Sequence, residues 1–424
     1  RTTTIRGKTV ALDQCYRTTV TRGPTTYTIT VFYTEQSTQA NLNQCTAAEN
    51  TAGRCEHALA NADDANGDNL NAVAVGTEMA RALGFYLDRG LGFPRSGQTQ
   101  LTVSIGEDPR LGGINAPMEI YLDDEAVDQN DPLQKRLLAF HEMMHLIQDV
   151  WDDGGVGWQG FYGEGIARAI EDRVDTALDA DTGHLFIPEL NGLMSTDSDR
   201  TSTVETNSYR TFLWWTWLFD QYRASSDAEP TIGWTAIRDF YQRLGASSDQ
   251  VQAVRDFVTG RGGTFDRDWL DYTLSLWAYR RSPSNPRLTY LDSQIRSAGN
   301  AISGHTVITG GPAFAATQTT PTVNARSVRY FELNPASQCD YASFAFDGQG
   351  KRFGFSVMTA NAAGLRDRWS SLSTTWTRTV RTAGLTSIAA AVTGLSDTGP
   401  VRVGWGCVQP TLTLDRPTTA AFEM

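Results

Sequence analysis

Histidine, lysine and long apolar runs are all scarce in this chain. Its 424 residues include 5 histidines, lysine occurs only at Lys8, Lys135 and Lys351, and the formal net charge is −12. Because no basic cluster offsets the acidic charge, the sequence predicts neither a nucleic-acid partner nor binding to an anionic membrane. No apolar stretch reaches the ~18–20 residues of a membrane span. The most apolar one, residues 212–219, is predicted to be a buried helix.

The five cysteines contain no CxxC pair, which argues against a zinc site built from cysteines. A disulfide between Cys45 and Cys55 could close a short loop, and one between Cys339 and Cys407 could link the C-terminal part. Cys15 would then be unpaired. Two disulfides require an oxidising compartment, and the chain starts without a signal peptide, as a processed protein does. We therefore expect a secreted, extracellular protein; five reduced thiols in a cytoplasmic protein are the alternative.

One short segment carries most of the recognisable chemistry: HEMMH at residues 141–145, an HExxH motif. On a helix, His141 and His145 lie on one face and can bind the same metal ion, and Glu142 can reach a water on that ion. Asp131 is a favourable N-cap and Pro132 suits the first helical position, so the motif is predicted to lie on a helix. A buried pair of structural histidines is the alternative interpretation.

The third metal ligand predicted from the sequence is Glu164, which follows His145 after 18 intervening residues. It begins a predicted helix, Glu164–Leu178, that can pack antiparallel to the HExxH helix. Two histidines, one carboxylate and an open fourth position are typical of catalytic zinc. Glu171 lies on the same helix face and is expected to accept a hydrogen bond from a ligand histidine. Three aspartates close to the motif are the alternative ligands: Asp149, Asp152 and Asp153.

The HExxH motif, this spacing and the run Glu-Gly-x-Ala-x-x-x-Glu from Glu164 to Glu171 resemble the gluzincin clan of zinc metallopeptidases. The wider layout is similar to secreted bacterial gluzincins of the immune-inhibitor-like kind. The resemblance implies three zinc ligands: His141, His145 and Glu164. It also implies Glu142 as the general base and a zincin-like catalytic domain. The chain does not match the metzincin pattern, because Gln148 occupies the position of its glycine. The sequence also contains no GxMxN motif, so it gives no support for exopeptidase activity.

The predicted chemistry is peptide-bond hydrolysis by a zinc-activated water. Zinc lowers the pKa of its water toward ~7, Glu142 accepts the proton, and a neutral donor stabilises the oxyanion. Tyr209 is the first candidate for that donor, although a buried helix position explains it equally well, and Tyr162 or His184 is the second. The strand at Met118–Leu122 is predicted to lie at a sheet edge, where it can pair with the substrate backbone.

An acidic loop precedes this segment. Asp64, Asn66 and Asp68 have the i, i+2, i+4 spacing of a calcium loop, which predicts Ca²⁺ as a second cofactor. Asn69 stands where an EF-hand has glycine, and no glutamate follows six residues later. A polar loop that caps the following helix is the alternative.

Local patterns divide the chain into three parts and predict an α+β fold. Residues 1–125 form a strand-rich part with an amphipathic helix at 70–89, and residues 126–300 form the helical, zinc-binding part of the same catalytic unit. Residues 305–424 are predicted to form an all-β sandwich domain. Further helices are predicted at 203–222, 233–244, 248–259 and 265–280. Strands of the β-domain are predicted at 327–333, 341–346, 352–358, 374–380 and 401–406.

The sequence therefore predicts a secreted zinc metalloendopeptidase that acts as a monomer on a protein or peptide substrate. The alternative is a non-catalytic secreted or cell-surface binding protein on a zincin scaffold. Glu142 favours the enzyme, because a binding protein needs no general base at that position. Zinc-dependent hydrolysis of an ester or a glycan-linked substrate is a third interpretation.

Overall fold

The chain combines helices and sheets with a β-rich C-terminal region, as expected for an α+β protein. A computed structural model describes residues 2–5, 8–35, 58–60, 62–92, 97–106, 112–116, 118–128, 131–151, 162–171, 173–174, 211–228, 231–244, 250–279, 281, 283–290, 306–308, 317–333 and 340–408. The described residues fall into two compact units. The first comprises those within 2–174, 211–268 and 290, and the second those within 269–289 and 306–408.

Most predicted helices are present. The α-helices among the described residues are α1 (Leu70–Asp88), α2 (Asp124–Asp128), α3 (Pro132–Trp151), α4 (Gly163–Glu171), α5 (Phe212–Gln221), α6 (Trp234–Leu244), α7 (Gln250–Gly260) and α8 (Phe265–Ala278). The predictions at 70–89, 233–244, 248–259 and 265–280 are confirmed to within two residues. Parts of the helices predicted at 164–178 and 203–222 lie outside the described residues.

The strands of the described residues lie in both units. Those of the first unit are β1 (Thr2–Ile5), β2 (Lys8–Ala11), β3 (Gln14–Arg22), β4 (Thr25–Tyr33), β5 (Gln100–Ile105), β6 (Gly112–Ala116) and β7 (Glu119–Leu122). Those of the second unit are β8 (Thr306–Ile308), β9 (Thr317–Thr319), β10 (Thr322–Val323), β11 (Val328–Leu333), β12 (Tyr341–Asp347), β13 (Phe353–Asn361), β14 (Gly364–Ser373), β15 (Thr375–Arg381), β16 (Ser387–Gly394), β17 (Gly399–Pro400) and β18 (Arg402–Val408).

The first unit is built on a mixed five-stranded sheet with the order β3-β4-β5-β7-β6. The central neighbours β4, β5 and β7 run parallel, while β3 and β6 are antiparallel to their partners. Helix α1 packs against β3 and β4. Gly76 permits this close approach, because a Cβ there would lie 2.7 Å from the ring of Tyr16.

The prediction that Met118–Leu122 forms a sheet edge is wrong. Strand β7 pairs with β5 on one side and with β6 on the other, so its backbone groups are used within the sheet. Among the described strands, the edge on this side is β6. Its glycine pair, Gly112-Gly113, favours a loop by local propensity, but pairing with β7 overrides that preference.

Helix α3 is held against α1 by two specific contacts. The buried Tyr86 hydroxyl donates to the Phe140 carbonyl at 2.9 Å. The Arg136 guanidinium contacts the Glu78 carboxylate at 3.0 Å. These contacts fix the half of α3 that precedes and begins the HExxH motif, and therefore the direction in which its ligands face.

The second unit contains two larger sheets around one apolar core. Their strand orders are β14-β13-β16-β11-β8 and β15-β12-β18-β9. Side chains of both sheets form one buried cluster that includes Phe344, Phe355, Val392 and Val403. Two sheets with one shared core are the arrangement expected of a β-rich domain whose strands alternate inward and outward residues.

Residues 269–289 belong with this β-rich unit, although the sequence assigns them to the helical part. The Trp269 indole donates to the Gly394 carbonyl at 3.1 Å, and the hydroxyls of Thr273 and Thr393 lie 2.9 Å apart. The Tyr330 hydroxyl donates to the Thr273 carbonyl at 2.5 Å. These long-range contacts, which no local pattern encodes, bind α8 from Trp269 onward to β11 and β16 of the larger sheet.

Two further observations concern the cysteines and the membrane. Cys15 is free and exposed, and Cys407 takes part in a disulfide. The other three cysteines lie outside the described residues, so the predicted pairings stay predictions. Within the described part of the chain, none of the helices has the length and apolar character needed to cross a membrane.

Candidate metal centre

Three predicted ligand side chains converge at the junction of α3 and α4. The His141 Nε2 lies 3.0 Å from His145 Nε2 and 3.2 Å from Glu164 Oε2. The distance from His145 Nε2 to Glu164 Oε2 is 3.4 Å. One ligand atom from each residue therefore faces a common point, and the group can hold a metal ion.

The helices bring these atoms together for local reasons. His141 and His145 are one turn apart on α3, and their rings lie 4.7 Å apart in an edge-to-face arrangement. Glu164 is the second residue of α4, where a carboxylate is favoured by the helix dipole. At Gly165, helix α4 approaches α5 so closely that a Cβ would lie 2.0 Å from the Thr211 hydroxyl. That contact sets the position of the residue beside it, Glu164.

The far nitrogens of both rings are also engaged. The His141 Nδ1 lies 2.6 Å from Glu171 Oε1, the contact predicted for Glu171. The His145 Nδ1 lies 2.8 Å from Gln148 Oε1. Oxygen acceptors at both Nδ1 atoms keep the protons there, so each Nε2 is left to coordinate an ion.

A buried cation supports Glu171. The Arg168 guanidinium forms an ion pair with Glu171 Oε2, three residues along α4, and both side chains are buried. Arg168 thereby balances the carboxylate that orients His141. Glu164 differs from the two histidines, because its side chain is 32% exposed while theirs are 10% and 8% exposed. The centre is therefore open to solvent on the Glu164 side.

The electrostatics favour a cation between these groups. Burial lowers the pKa of His141, but hydrogen bonds with Glu164 and Glu171 outweigh this effect and raise its pKa to about 10. Burial raises the pKa of Glu164, but its close contacts with His141 and His145 outweigh this effect and hold that pKa well below its usual range. In the metal-free chain, His141 is thus protonated and Glu164 is ionised. The extra proton on His141 supplies the positive charge that a bound metal ion would otherwise provide.

The remaining catalytic candidates have different outcomes. Glu142 is buried beside His141, and its charge contributes to the raised pKa of that histidine. Tyr162 is 1% exposed and packs against Trp215 and Tyr241, so it does not face a substrate as an oxyanion donor must. The large apolar ring of Tyr162 is buried in this aromatic core, and the sequence alone does not show that burial.

Several predicted residues lie outside the described part of the chain. These are the oxyanion candidates Tyr209 and His184 and the alternative ligands Asp152 and Asp153, and for Asp149 only the backbone is described. The role of Tyr209 therefore stays a prediction.

The proposed calcium loop has a local structural role. The Asp64 carboxylate accepts hydrogen bonds from the backbone nitrogens of Asn66 and Asp68, at 2.7 and 3.1 Å. The Asn69 side chain caps α1 by accepting from the nitrogens of Asn71 and Ala72. These contacts match the capping alternative, and calcium binding by Asp64, Asn66 and Asp68 stays a prediction.

A second acidic group lies among the described residues. It consists of Asp123, Asp124 and Glu125 at the start of α2. The Asp123 carboxylate accepts from the Ala126 nitrogen at 3.2 Å, which is an ordinary capping contact.

Sequence reasoning missed three residues that support the centre: Gln148, Arg168 and Tyr241. Gln148 follows His145 by three residues on α3, and Arg168 precedes Glu171 by three on α4, so helical spacing could have identified both. Tyr241 contacts Gln148 from α6. No local pattern predicts that contact.

Comparison with known proteins adds little to this geometry. No protein-family model and no curated protein matches the chain. A mitogen derived from Yersinia pseudotuberculosis is similar to 25% of the chain over 92% of its own length, with 10% identity and a TM-score of 0.19. PliG of Aeromonas hydrophila, a periplasmic inhibitor of g-type lysozyme, is similar to 24% of the chain over 98% of its length, with 13% identity and a TM-score of 0.18. A GH115 4-O-methyl-α-glucuronidase is similar to 66% of the chain over 38% of its own length, with 10% identity and a TM-score of 0.15. At these TM-scores the similarities carry no information about function.

Proposed function

We propose that this chain is a secreted, zinc-dependent endopeptidase with a zincin-like catalytic unit and a C-terminal β-sandwich. The observation that carries the proposal is the triangle of ligand atoms, with sides of 3.0, 3.2 and 3.4 Å. Zinc bonds of about 2.0–2.1 Å in a tetrahedral arrangement separate neighbouring ligand atoms by about 3.3 Å. The triangle therefore has the dimensions of one face of a zinc tetrahedron.

The donor set also favours zinc over a hard cation. Two imidazoles and one carboxylate suit zinc, whereas calcium and magnesium prefer an all-oxygen shell. His141, His145 and Glu164 would hold the ion, and the exposed side of Glu164 leaves room for a fourth ligand. An open fourth position is typical of catalytic rather than structural zinc.

The bound ion would acidify a water molecule and polarise the carbonyl of the bond to be cut. Glu142 would accept a proton from the attacking water and deliver it to the leaving nitrogen. Glu171, supported by Arg168, keeps the His141 ring oriented. Tyr209 remains our candidate for the donor to the oxyanion.

The substrate backbone is proposed to add to β6 rather than to β7. Strand β6 is the edge of the described sheet on this side, and it lies against α3, the helix that carries the HExxH motif. An extended peptide can continue such an edge through backbone hydrogen bonds. The chain is proposed to act as a monomer outside the cell, where the disulfide of Cys407 is stable.

Casein hydrolysis tests the activity. Wild-type protein should cleave casein, a chelator should abolish cleavage, and zinc should restore it. Glu142→Gln should bind zinc normally yet lose a factor of about 10²–10⁴ in rate, because it lacks the base. Glu125→Gln, at an exposed carboxylate, serves as the matched control. Zinc binding without any cleavage would favour the binding protein, and chelator-insensitive cleavage would rule out the proposal.

A further inference from the structure

The Gln148 side chain occupies a special position beside the metal centre. It lies three residues after His145 on α3 and is completely buried. We infer that Gln148 is a positioning residue, which fixes the protonated nitrogen of His145 and ties this ring to the backbone next to Glu164. The inference rests on the proposed zinc centre and extends it to a residue outside the motif.

The orientation of the Gln148 amide follows from its neighbours. Its Nε2 lies 3.1 Å from the carbonyl oxygen of Gly163. A carbonyl oxygen can only accept a hydrogen bond, so the amide nitrogen must face Gly163 and the amide oxygen must face His145. That oxygen lies 2.8 Å from His145 Nδ1. Because an amide oxygen also only accepts, Nδ1 must carry the proton of the neutral ring.

This assignment determines what the other ring nitrogen can do. A neutral imidazole with its proton on Nδ1 has a free lone pair on Nε2. The Nε2 of His145 is the atom that faces His141 and Glu164. Gln148 thus selects the tautomer of His145 that can coordinate a metal ion.

The same amide connects two ligands. Gly163 is the first residue of α4 and precedes Glu164 directly. The hydrogen bond from Gln148 to the Gly163 carbonyl therefore links the His145 ring to the start of the helix that supplies the third ligand. The Gln148 nitrogen also lies 3.2 Å from the Tyr241 hydroxyl, which forms a further hydrogen bond with Tyr162. These buried hydrogen bonds allow the Gln148 amide only one orientation.

The two histidines are supported in chemically different ways. His141 has a charged partner, Glu171, whereas His145 has a neutral one. A neutral amide orients the ring without adding a second negative charge to the buried side of the centre. It can also donate to Gly163, which a carboxylate at this position cannot.

Zinc affinity of the full-length chain tests the inference. The Gln148→Met variant keeps the approximate shape of the side chain but removes its hydrogen bonds to His145, Gly163 and Tyr241. Gln134→Met on the same helix is the matched control. Zinc itself is the probe, in competition with a chromophoric chelator. We expect a loss of about 10- to 100-fold in affinity for Gln148→Met, the usual effect of removing such a partner, and wild-type affinity for Gln134→Met.

Two spectroscopic readouts separate positioning from a merely structural role. In the metal-free protein, ¹⁵N spectra of labelled histidine should show His145 with its proton on Nδ1, and Gln148→Met should lose that preference. In the cobalt-substituted protein, the visible absorption bands should change in Gln148→Met and stay unchanged in Gln134→Met. A lower melting temperature with an unchanged tautomer and unchanged bands would overturn the inference.

The outcomes also distinguish this inference from the proposed function. Wild-type protein that binds no zinc would overturn the metal centre itself, whereas equal affinities of wild type and Gln148→Met would overturn only the role of Gln148. If Gln148→Met does not fold, Gln148→Glu decides the question. Its carboxylate accepts from His145 but cannot donate to Gly163, so the tautomer should persist while the affinity falls. Wild-type affinity in Gln148→Glu would contradict the link to α4.

Discussion

Zinc affinity of this chain should rise steadily with pH well beyond neutrality. The reason is the His141 imidazole, whose pKa in the metal-free chain is raised to about 10 by Glu164 and Glu171 despite burial. Zinc requires the neutral ring, so it must displace the proton held there. Each ion bound should therefore release about one proton at pH 7 to 9.

The expected size of the effect follows from the pKa. Below the pKa, each pH unit changes the apparent affinity about tenfold, or about 1.4 kcal/mol. From pH 7 to pH 9 the affinity should thus rise about 100-fold. An ordinary histidine with a pKa of about 6.5 would change it by only about 1.3-fold over the same interval. The two cases differ by nearly two orders of magnitude.

Chelator-buffered titrations at pH 7, 8 and 9 measure this dependence. A zinc-bound water also titrates in this range, so the His141 ring should be followed separately, by NMR of the metal-free protein with labelled histidine. We expect its protonation midpoint near pH 10. A midpoint near 6.5 together with an affinity that is flat above pH 7.5 would refute the reasoning.

Three further outcomes are expected. Glu171→Gln should weaken zinc binding by about 10- to 100-fold in the same chelator assay, because the first histidine ligand loses its charged partner; unchanged binding would contradict this role. Arg173→Leu should lower the free energy of unfolding by about 3–5 kcal/mol in urea titrations, since it leaves the fully buried Asp220, now 2.8 Å from the guanidinium, without its counterion. A loss no greater than that of Arg238→Leu, at a far more exposed position, would contradict it. Gly165→Ala should abolish zinc binding and lower the melting temperature, because α4 and α5 must separate to admit the methyl group; wild-type affinity would show that the close approach is dispensable.

The convergence of the three proposed ligands can be predicted from sequence because their geometry is local. His141 and His145 are one helical turn apart, and Glu164 follows a short reversal of the chain. Glu171 is predictable for the same reason, since it lies two turns after Glu164 on α4. Tyr241 is not, because its contact with Gln148 depends on how α6 packs against α3, with 93 residues separating the two positions.

Three strands are harder to predict than the helices, each for its own physical reason. Strand β14 is polar along most of its length and lies at a sheet edge, so it lacks a regular apolar pattern. Strand β16 is rich in alanine and buried on both faces, so it lacks alternation. Strand β6 begins with two glycines and is specified by its partner β7 rather than by its own propensity.

Anomalous diffraction at the zinc absorption edge, on crystals of protein purified without added metal and then supplied with zinc, tests the central claim most directly. One zinc peak is expected within about 2.0–2.2 Å of His141 Nε2, His145 Nε2 and a Glu164 carboxylate oxygen, with a fourth position open to solvent. Absence of a peak between these three residues, or a closed site with four protein ligands, would contradict a catalytic zinc centre in this protein.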